Sequence, residues 1–379
     1  MAIRVVDLFS GAGGTSCGLR QAGMMPLAAV DIDSEALETY AANFPEATTI
    51  ASDIRRVDVR DLLAVVEDAG RGDGLLLAAC APCQPFSRQN RQKKELDERA
   101  DLLGEVIRFV EGLNPEFILV ENVPAIRQQQ RSSGGPLDAF LGRIRKLGYG
   151  YAVGTVQVAD YGVPQHRPRL VVLASRLGPV SLPPATHGAG LRPHATVRDA
   201  IGHLPPIAAG STDPSVPNHR AAGLSPINLR RMRATPPEGG RRAWPEDLRL
   251  DCHRNADGYT DTYGRMAWDR PAPALTTRCI SISNGRFAHP SQDRGISVRE
   301  AAALQSFPDD FVFTGSLDGM ARQIGNAVPP LMAARLAVAF LGSADSAGSA
   351  VLESGGKASS YSSCPSVPRA HDLSIPQAR

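Results

Sequence analysis

The stretch Pro82-Cys83-Gln84-Pro85-Phe86-Ser87 holds a thiol between two prolines, directly after the apolar run 74–80. A thiolate attacks soft electrophiles when it is accessible and partly deprotonated. A loop at the carboxyl end of a parallel strand is where α/β proteins bring such a group to a ligand. Cys80 lies inside the apolar run and reads as an inert core thiol. Cys83 does not fit that description. The two form a C-x-x-C spacing, but no second pair and no H-x-x-x-H follows, so structural zinc is not indicated and no metal is expected. Six scattered cysteines do not suggest a disulfide framework.

Three further groups carry chemistry. Glu121-Asn122 follows the apolar run 117–120, which places a carboxylate beside the Cys83 loop as a proton donor. Gln165-His166-Arg167-Pro168-Arg169 sets two guanidinium groups at alternate positions entering a strand, on one side of it. Such arginines grip a phosphate or a base oxygen. Asp7-Leu-Phe-Ser-Gly-Ala-Gly-Gly14 is a strand, a glycine turn and a helix start, which lets a ligand approach the backbone closely. Because Cys17 and Gly18 follow Gly14, the G-x-G-x-x-G spacing is incomplete; a pyrophosphate cradle, and with it a nicotinamide oxidoreductase, is disfavoured. Asp31 ends a second apolar run and is placed to take ribose hydroxyls. Asp53 follows a third. Each reads equally as a capping or solvated carboxylate.

The elements that must position these groups are apolar runs at 3–9, 27–32, 47–51, 75–80, 117–120, 151–158 and 169–174, separated by helical patterns such as 35–43 with Ser34 as cap. Runs apolar on both faces predict a doubly wound, mostly parallel α/β sheet. After Ser175 the composition turns to Pro, Gly, Arg and His, which predicts a second, smaller and irregular domain over 176–297. Helices at 298–306 and 330–341 return the chain to the first domain, giving one unit of 1–175 plus 298–342. The Ser/Gly/Ala/Pro-rich segment 343–379 is expected to be a disordered tail. Residues 176–250 hold ten Arg, no Lys and five acids, which suits a polyanionic partner, although the whole chain prefers Arg to Lys. No uninterrupted apolar run approaches ~20 residues and no signal-peptide layout opens the chain, so a cytoplasmic protein without a membrane span is expected.

In order, the chain carries DLFSGAGG, PCQPFS, ENV, QHRPR and RQIGNAVPP (322–330), with further tracts at 268–277, 285–290 and 299–308. This series resembles the DNA (cytosine-5)-methyltransferase family of bacterial type, over most of 3–340. The resemblance implies S-adenosylmethionine as cofactor and double-stranded DNA as substrate. It implies Cys83 as the nucleophile that adds to C6 of cytosine, Glu121 at N3 and Arg169 at O2. Arg167 would stand in the same wall, and Asn122 would hold the Cys83 loop. For the cofactor it implies Phe9 on adenine and Gly11 and Gly13 along the methionine part, with Ser10, Gly14 and Pro82 beside them. Asp31 would take the ribose and Asp53 the adenine amino group. Ile32 and Ile54 would form apolar walls, and Asn326 and Val328 would close the site.

Toward DNA the resemblance implies Gln84, Ser87, Arg88, Gln89 and Arg99 in a loop that closes on a flipped base, and Thr276, Thr277 and Arg286 from a target-recognition domain. A restriction endonuclease acting on the same site is the implied partner, and a monomer the implied state. The chain departs from the family pattern in three places: loop 88–95 has no glycine, Ala125 follows ENV-P, and Ala274-Leu275 stands where Thr-Leu is common. Two other readings stay open, a transfer-RNA methylase on the same fold and a catalytically silent DNA-binding regulator.

Overall fold

The computed structural model describes residues 2–81, 102–128, 135–251 and 261–353, with side chains to Leu341. All seven apolar runs are strands: β1 Arg4–Leu8, β2 Met25–Asp31, β3 Thr48–Ala51, β4 Leu75–Ala79, β5 Phe117–Asn122, β6 Gly150–Gln157 and β7 Pro168–Ser175. They form one sheet in the order β3-β2-β1-β4-β5-β7-β6. The first five strands pair in parallel, while β7 runs antiparallel between β5 and β6. The chain leaves β1 toward β2 on one side and returns to β4 on the other, with Leu8 paired to Ala79. That reversal opens a crevice at the carboxyl ends of β1 and β4. The glycine turn leaves from one of them, and Cys80 and Ala81 follow the other.

Both faces of the sheet are covered, as strands without polar alternation require. On one face Val6, Leu8, Leu77 and Ile118 pack with Val66, Val106, Phe109 and Ile144. Those last four come from α3 (Val59–Ala69), α4 (Leu102–Leu113) and α5 (Pro136–Lys146). On the other face Val5, Leu76, Ala78 and Leu119 pack with Leu19 of α1 (Gly14–Gln21) and with Met332, Leu336 and Phe340 of the last helix. The helix α2 (Ser34–Asn43) is capped by Asp33 rather than by Ser34: the Asp33 carboxylate accepts from the Ala36 N–H. Ser34 already has helical geometry, and the acid one residue earlier takes the donor.

Beyond β7 come α6 (Val197–Ile201), α7 (Pro226–Arg233), α8 (Val298–Leu304), α9 (Leu317–Asn326) and α10 (Pro330–Glu353). By length and composition 317–341 would pass as a membrane span. It is two helices, interrupted where Pro329 and Pro330 remove backbone donors, and Met332, Ala333, Leu336, Ala337 and Phe340 are buried against the sheet. The backbone of α10 stays helical to Glu353, so the segment expected to be a tail from residue 343 begins inside a helix. No proline interrupts it there.

Segment 176–297 is irregular, as its composition suggests, but it does not pack as an isolated body. Val197, Ile201, Met266, Leu275, Cys279 and Phe287 share one apolar cluster with Val298, Ala301, Leu304 and Ile324. Among the described residues a small core around Met232, Trp244, Leu248, Tyr263, Ile282 and Ala288 is its own. Backbone without helix or strand leaves carbonyls to be satisfied, and buried arginines do this. Arg265 donates to the carbonyls of Thr235, Met232, His289 and Gln292. Arg299 donates to those of Pro217, Pro308 and Phe311. Arg265 within this segment and Arg299 just past it therefore hold the fold.

Candidate active site

The glycine turn is wedged between two other segments. Gly11 and Gly13 have φ of 52° and 92°, the left-handed region that glycine enters without strain. A Cβ on Gly13 would lie 2.6 Å from the Phe44 ring and 2.9 Å from the Tyr40 ring, both on or beside α2. A Cβ on Gly14 would lie 2.4 Å from the Val328 carbonyl oxygen, and one on Gly18 2.0 Å from that of Pro330. The late segment 326–330 thus packs directly on the start of α1. Val328 is buried there and Asn326 is exposed at its edge.

Asp31 closes the turn from the side. One of its oxygens accepts from the Gly11 N–H at 2.7 Å, the other from the Asp33 N–H at 2.9 Å. Burial raises its carboxyl above the ordinary value, and these backbone donors pull the other way. Ile32 beside it is 72% exposed, an unusual state for an isoleucine and one suited to a flat apolar ligand. Asp53 accepts from the Arg55 backbone N–H at 3.0 Å and pairs with its Nη2 at 2.6 Å, and the Arg55 side chain holds its carboxyl at about 2. Ile54, expected as an apolar wall, is buried at the main core. Phe9 is half-buried against that core with φ of 57°.

These residues fit a cationic nucleoside cofactor. A Cβ on Gly11 would meet nothing within 4 Å, so the turn faces open space. Ser10 Oγ and Asp7 Oδ1 are buried without a hydrogen-bond partner among the described residues. Two acids and an exposed isoleucine border the same opening.

The second half of the site lies one strand over. Glu121 sits inside β5, which runs two residues past the apolar run that marks it in the sequence. It is 8% exposed, and its Oε1 lies 2.5 Å from the Nε of Arg169 at the start of β7. Asn122 donates from Nδ2 to the Ala81 carbonyl at 3.2 Å and accepts the Val123 N–H at 2.8 Å. Ala81 is the last described residue before the proline–cysteine segment. Pro82, Cys83, Gln84, Ser87, Arg88, Gln89 and Arg99 lie outside the described residues. Cys80 is half-buried beside Thr15 Oγ1 at 3.3 Å, and desolvation pushes its thiol well above the ordinary value. A thiol shifted this way stays protonated.

Two expected contacts are differently employed. Arg167, placed by sequence in the same wall as Arg169, is buried. It donates to the carbonyls of Leu275 at 2.6 Å and Gly325 at 2.8 Å. It ties the start of β7 to the tract around Thr276 and Thr277 and to the late segment, because bare carbonyls there need donors. Arg286, expected at DNA, pairs with Asp261 and donates to the carbonyls of Glu238, Gly239 and Arg265. Thr276 is half-buried against Gly325 and Thr277 is exposed.

Other residues of the site escaped the sequence reading. Tyr40 donates to Ser16 Oγ at 2.8 Å and Ser16 donates to Asp7 Oδ2 at 2.7 Å, a buried chain under the glycine turn. An acid in an otherwise apolar strand was the available signal. Gln165 donates to Gln305 at 2.8 Å and accepts the Leu275 N–H at 2.9 Å, locking the same junction as Arg167.

Comparison with known proteins agrees with this geometry. Residues 3–341 match the model of the C-5 cytosine-specific DNA methylase family. The Type II methylase M.HgiDII of Herpetosiphon aurantiacus is 40% identical over 331 residues, covering 86% of this chain and 91% of the relative. The Type II methyltransferase M1.HphI of Haemophilus parahaemolyticus is 35% identical over 344 residues, covering 90% and 87%. Among solved structures, a prophage-encoded protein of E. coli described as a DNA modification methyltransferase superposes with a TM-score of 0.69 at 23% identity. That match covers 91% of this chain and 100% of the other, and it shows a shared fold. With residues 3–341 matched to its model and a 40% identical relative over most of both chains, the chain belongs to the C-5 cytosine-specific DNA methylase family.

Proposed function

We propose that this DNA cytosine methylase acts on a cytosine turned out of the duplex, with Cys83 as nucleophile, Glu121 as the acid at N3 and Arg169 at O2. C5 of cytosine is a weak nucleophile. Addition of the Cys83 thiolate to C6 makes C5 enamine-like and able to accept a methyl group. A base then removes the C5 proton and the thiol leaves, restoring the ring. S-adenosylmethionine supplies the activated methyl; Gly11, Gly13, Asp31, Ile32 and Asp53 would hold it.

The Glu121–Arg169 pair, with Glu121 buried and Arg169 largely so, is the observation that carries this reading. Burying two charges is costly, and a site that keeps them for stability alone gains little over apolar packing. Cytosine presents two adjacent acceptors, N3 and O2. A carboxyl that can donate at N3 and a guanidinium beside it that can donate at O2 match that edge, and each would exchange its partner for the base. Asn122 supports the assignment of Cys83 by fixing Ala81, two residues upstream. A base inside a duplex cannot reach a buried pair, which is why it must be flipped.

Segment 176–297 is the proposed target-recognition part, and 1–175 with 298–342 the chemical part. Exposed Thr277 stands where the two meet. We place the protein in the cytoplasm as a monomer, paired with a restriction endonuclease of the same target, in keeping with the Type II names of its relatives. The test is transfer of labelled methyl from S-adenosylmethionine to duplex DNA, followed by digestion to nucleosides. Label in 5-methylcytosine supports the proposal. Label in transfer RNA instead, or in another base, overturns it.

A further inference from the structure

The start of α2 and the body of α9 meet through one charged cluster that the chemistry above does not use. Arg322 donates from Nε to Asp33 Oδ2 at 3.1 Å and from Nη2 to Glu35 Oε2 at 2.8 Å. Glu35 Oε1 accepts from Ser316 N at 2.6 Å and Ser316 Oγ at 3.0 Å. The surface under Glu35 is cut to receive it. A Cβ on Gly315 or Gly319 would lie 2.3 or 2.2 Å from its carboxyl oxygen, and Gly315 has φ of 100°.

Docking of the two helices does not need this cluster. Buried Thr39 Oγ1 already donates to Gln323 Oε1 at 2.8 Å, and Leu37 packs with Ile324 in one apolar cluster. Arg322 itself is 43% exposed, and surface pairs of that kind add little to stability. What Arg322 adds is orientation. Asp33 gives one oxygen to the Ala36 N–H and the other to Arg322, and its own N–H goes to Asp31. Asp31 in turn holds Gly11. Arg322, Asp33, Asp31 and Gly11 form an unbroken path from α9 to the glycine turn.

We propose that Arg322 is a positioning residue for the cofactor: by fixing Asp33 it aims the Asp31 carboxylate at the ribose hydroxyls. The late segment that packs on α1 through Val328 thereby also sets the acid on the opposite side of the opening. This rests on the reading of Asp31 as the ribose partner.

The experiment is calorimetric binding to the full chain of two probes, S-adenosylhomocysteine and its analogue lacking both ribose hydroxyls. Wild type should prefer the hydroxylated probe. Arg322→Met should weaken that probe by about three- to tenfold, a loss of one to two aligned hydrogen bonds. It should leave the analogue nearly unaffected. Arg322→Lys should recover part of the preference, and Thr39→Val, which loosens the same helix pair elsewhere, should keep all of it. If Arg322→Met lowers both probes equally, or retains the full preference, the positioning role is wrong. If wild type shows no preference, the Asp31 reading itself fails.

Discussion

Asp7 offers a pH test of the site's foundation. It is fully buried in β1, accepts from Ser16 at 2.7 Å, and leaves Oδ1 without a partner among the described residues. Burial, opposed by the Ser16 hydrogen bond and reinforced by nearby Asp31, pushes its carboxyl up to about 7. The folded state therefore holds this proton more tightly than the unfolded state does. The stabilisation is complete below the unfolded value near ~4 and is lost as pH rises through about 7. Between pH 5 and pH 8 the loss comes to about 2.5 kcal/mol. The neighbouring Tyr40 hydroxyl and Cys80 thiol are both pushed up by burial, out of this range. Asp31 still titrates in the variant and largely cancels. Asp7→Asn cannot lose the proton, so the stability gap between variant and wild type should move by about 2.5 kcal/mol in the variant's favour over that interval. Urea unfolding of both proteins at pH 5, 6, 7 and 8, without ligand, measures this. Parallel pH curves for the two proteins would show that Asp7 is ionised in the fold throughout and refute the reasoning.

Other substitutions test single contacts. Gly14→Ala puts a Cβ 2.4 Å from the Val328 carbonyl, so α1 or the 327–330 backbone must move. A stability loss of about 1–3 kcal/mol and weaker S-adenosylmethionine binding should appear in unfolding and calorimetry, and an unchanged protein would mean that the two segments do not pack as described. Arg167→Met strips the Leu275 and Gly325 carbonyls of their donor and should cost about 2–4 kcal/mol in urea unfolding. A variant of full stability with weakened DNA binding alone would return Arg167 to the DNA wall. Asp31→Ala should weaken S-adenosylmethionine binding by on the order of 1–3 kcal/mol in calorimetry, and unchanged affinity would remove it from the site.

The sheet was legible because strands buried on both faces are written as uninterrupted apolar runs, and each of the seven marks a strand of the structure. Their ends were less so: Glu121 and Asn122 belong to β5 although nothing apolar marks them. The pairing of Glu121 with Arg169 follows from β7 returning antiparallel beside β5, which no local pattern encodes. Arginine is the residue whose role the sequence leaves most open. A guanidinium donates equally well to a phosphate and to a bare carbonyl, so the sequence could not tell exposed Arg242 from Arg286, which is held by three carbonyls. The shared core of 176–297 with α8 and α9 was hidden for a related reason. Its apolar residues follow no period, since irregular backbone presents side chains at irregular intervals.

The central claim, covalent catalysis by Cys83 on cytosine, is met most directly by trapping. Fluorine at C5 cannot leave as a cation, so elimination of the thiol is blocked after methyl transfer. Duplex DNA carrying 5-fluorocytosine at the target should form a denaturant-resistant adduct with the protein, and only when S-adenosylmethionine is present. Cys83→Ala should abolish the adduct while DNA binding, which rests mostly on phosphate contacts, persists; Cys80→Ala should leave it intact. An adduct that survives Cys83→Ala, or one lost with Cys80→Ala, would contradict the account.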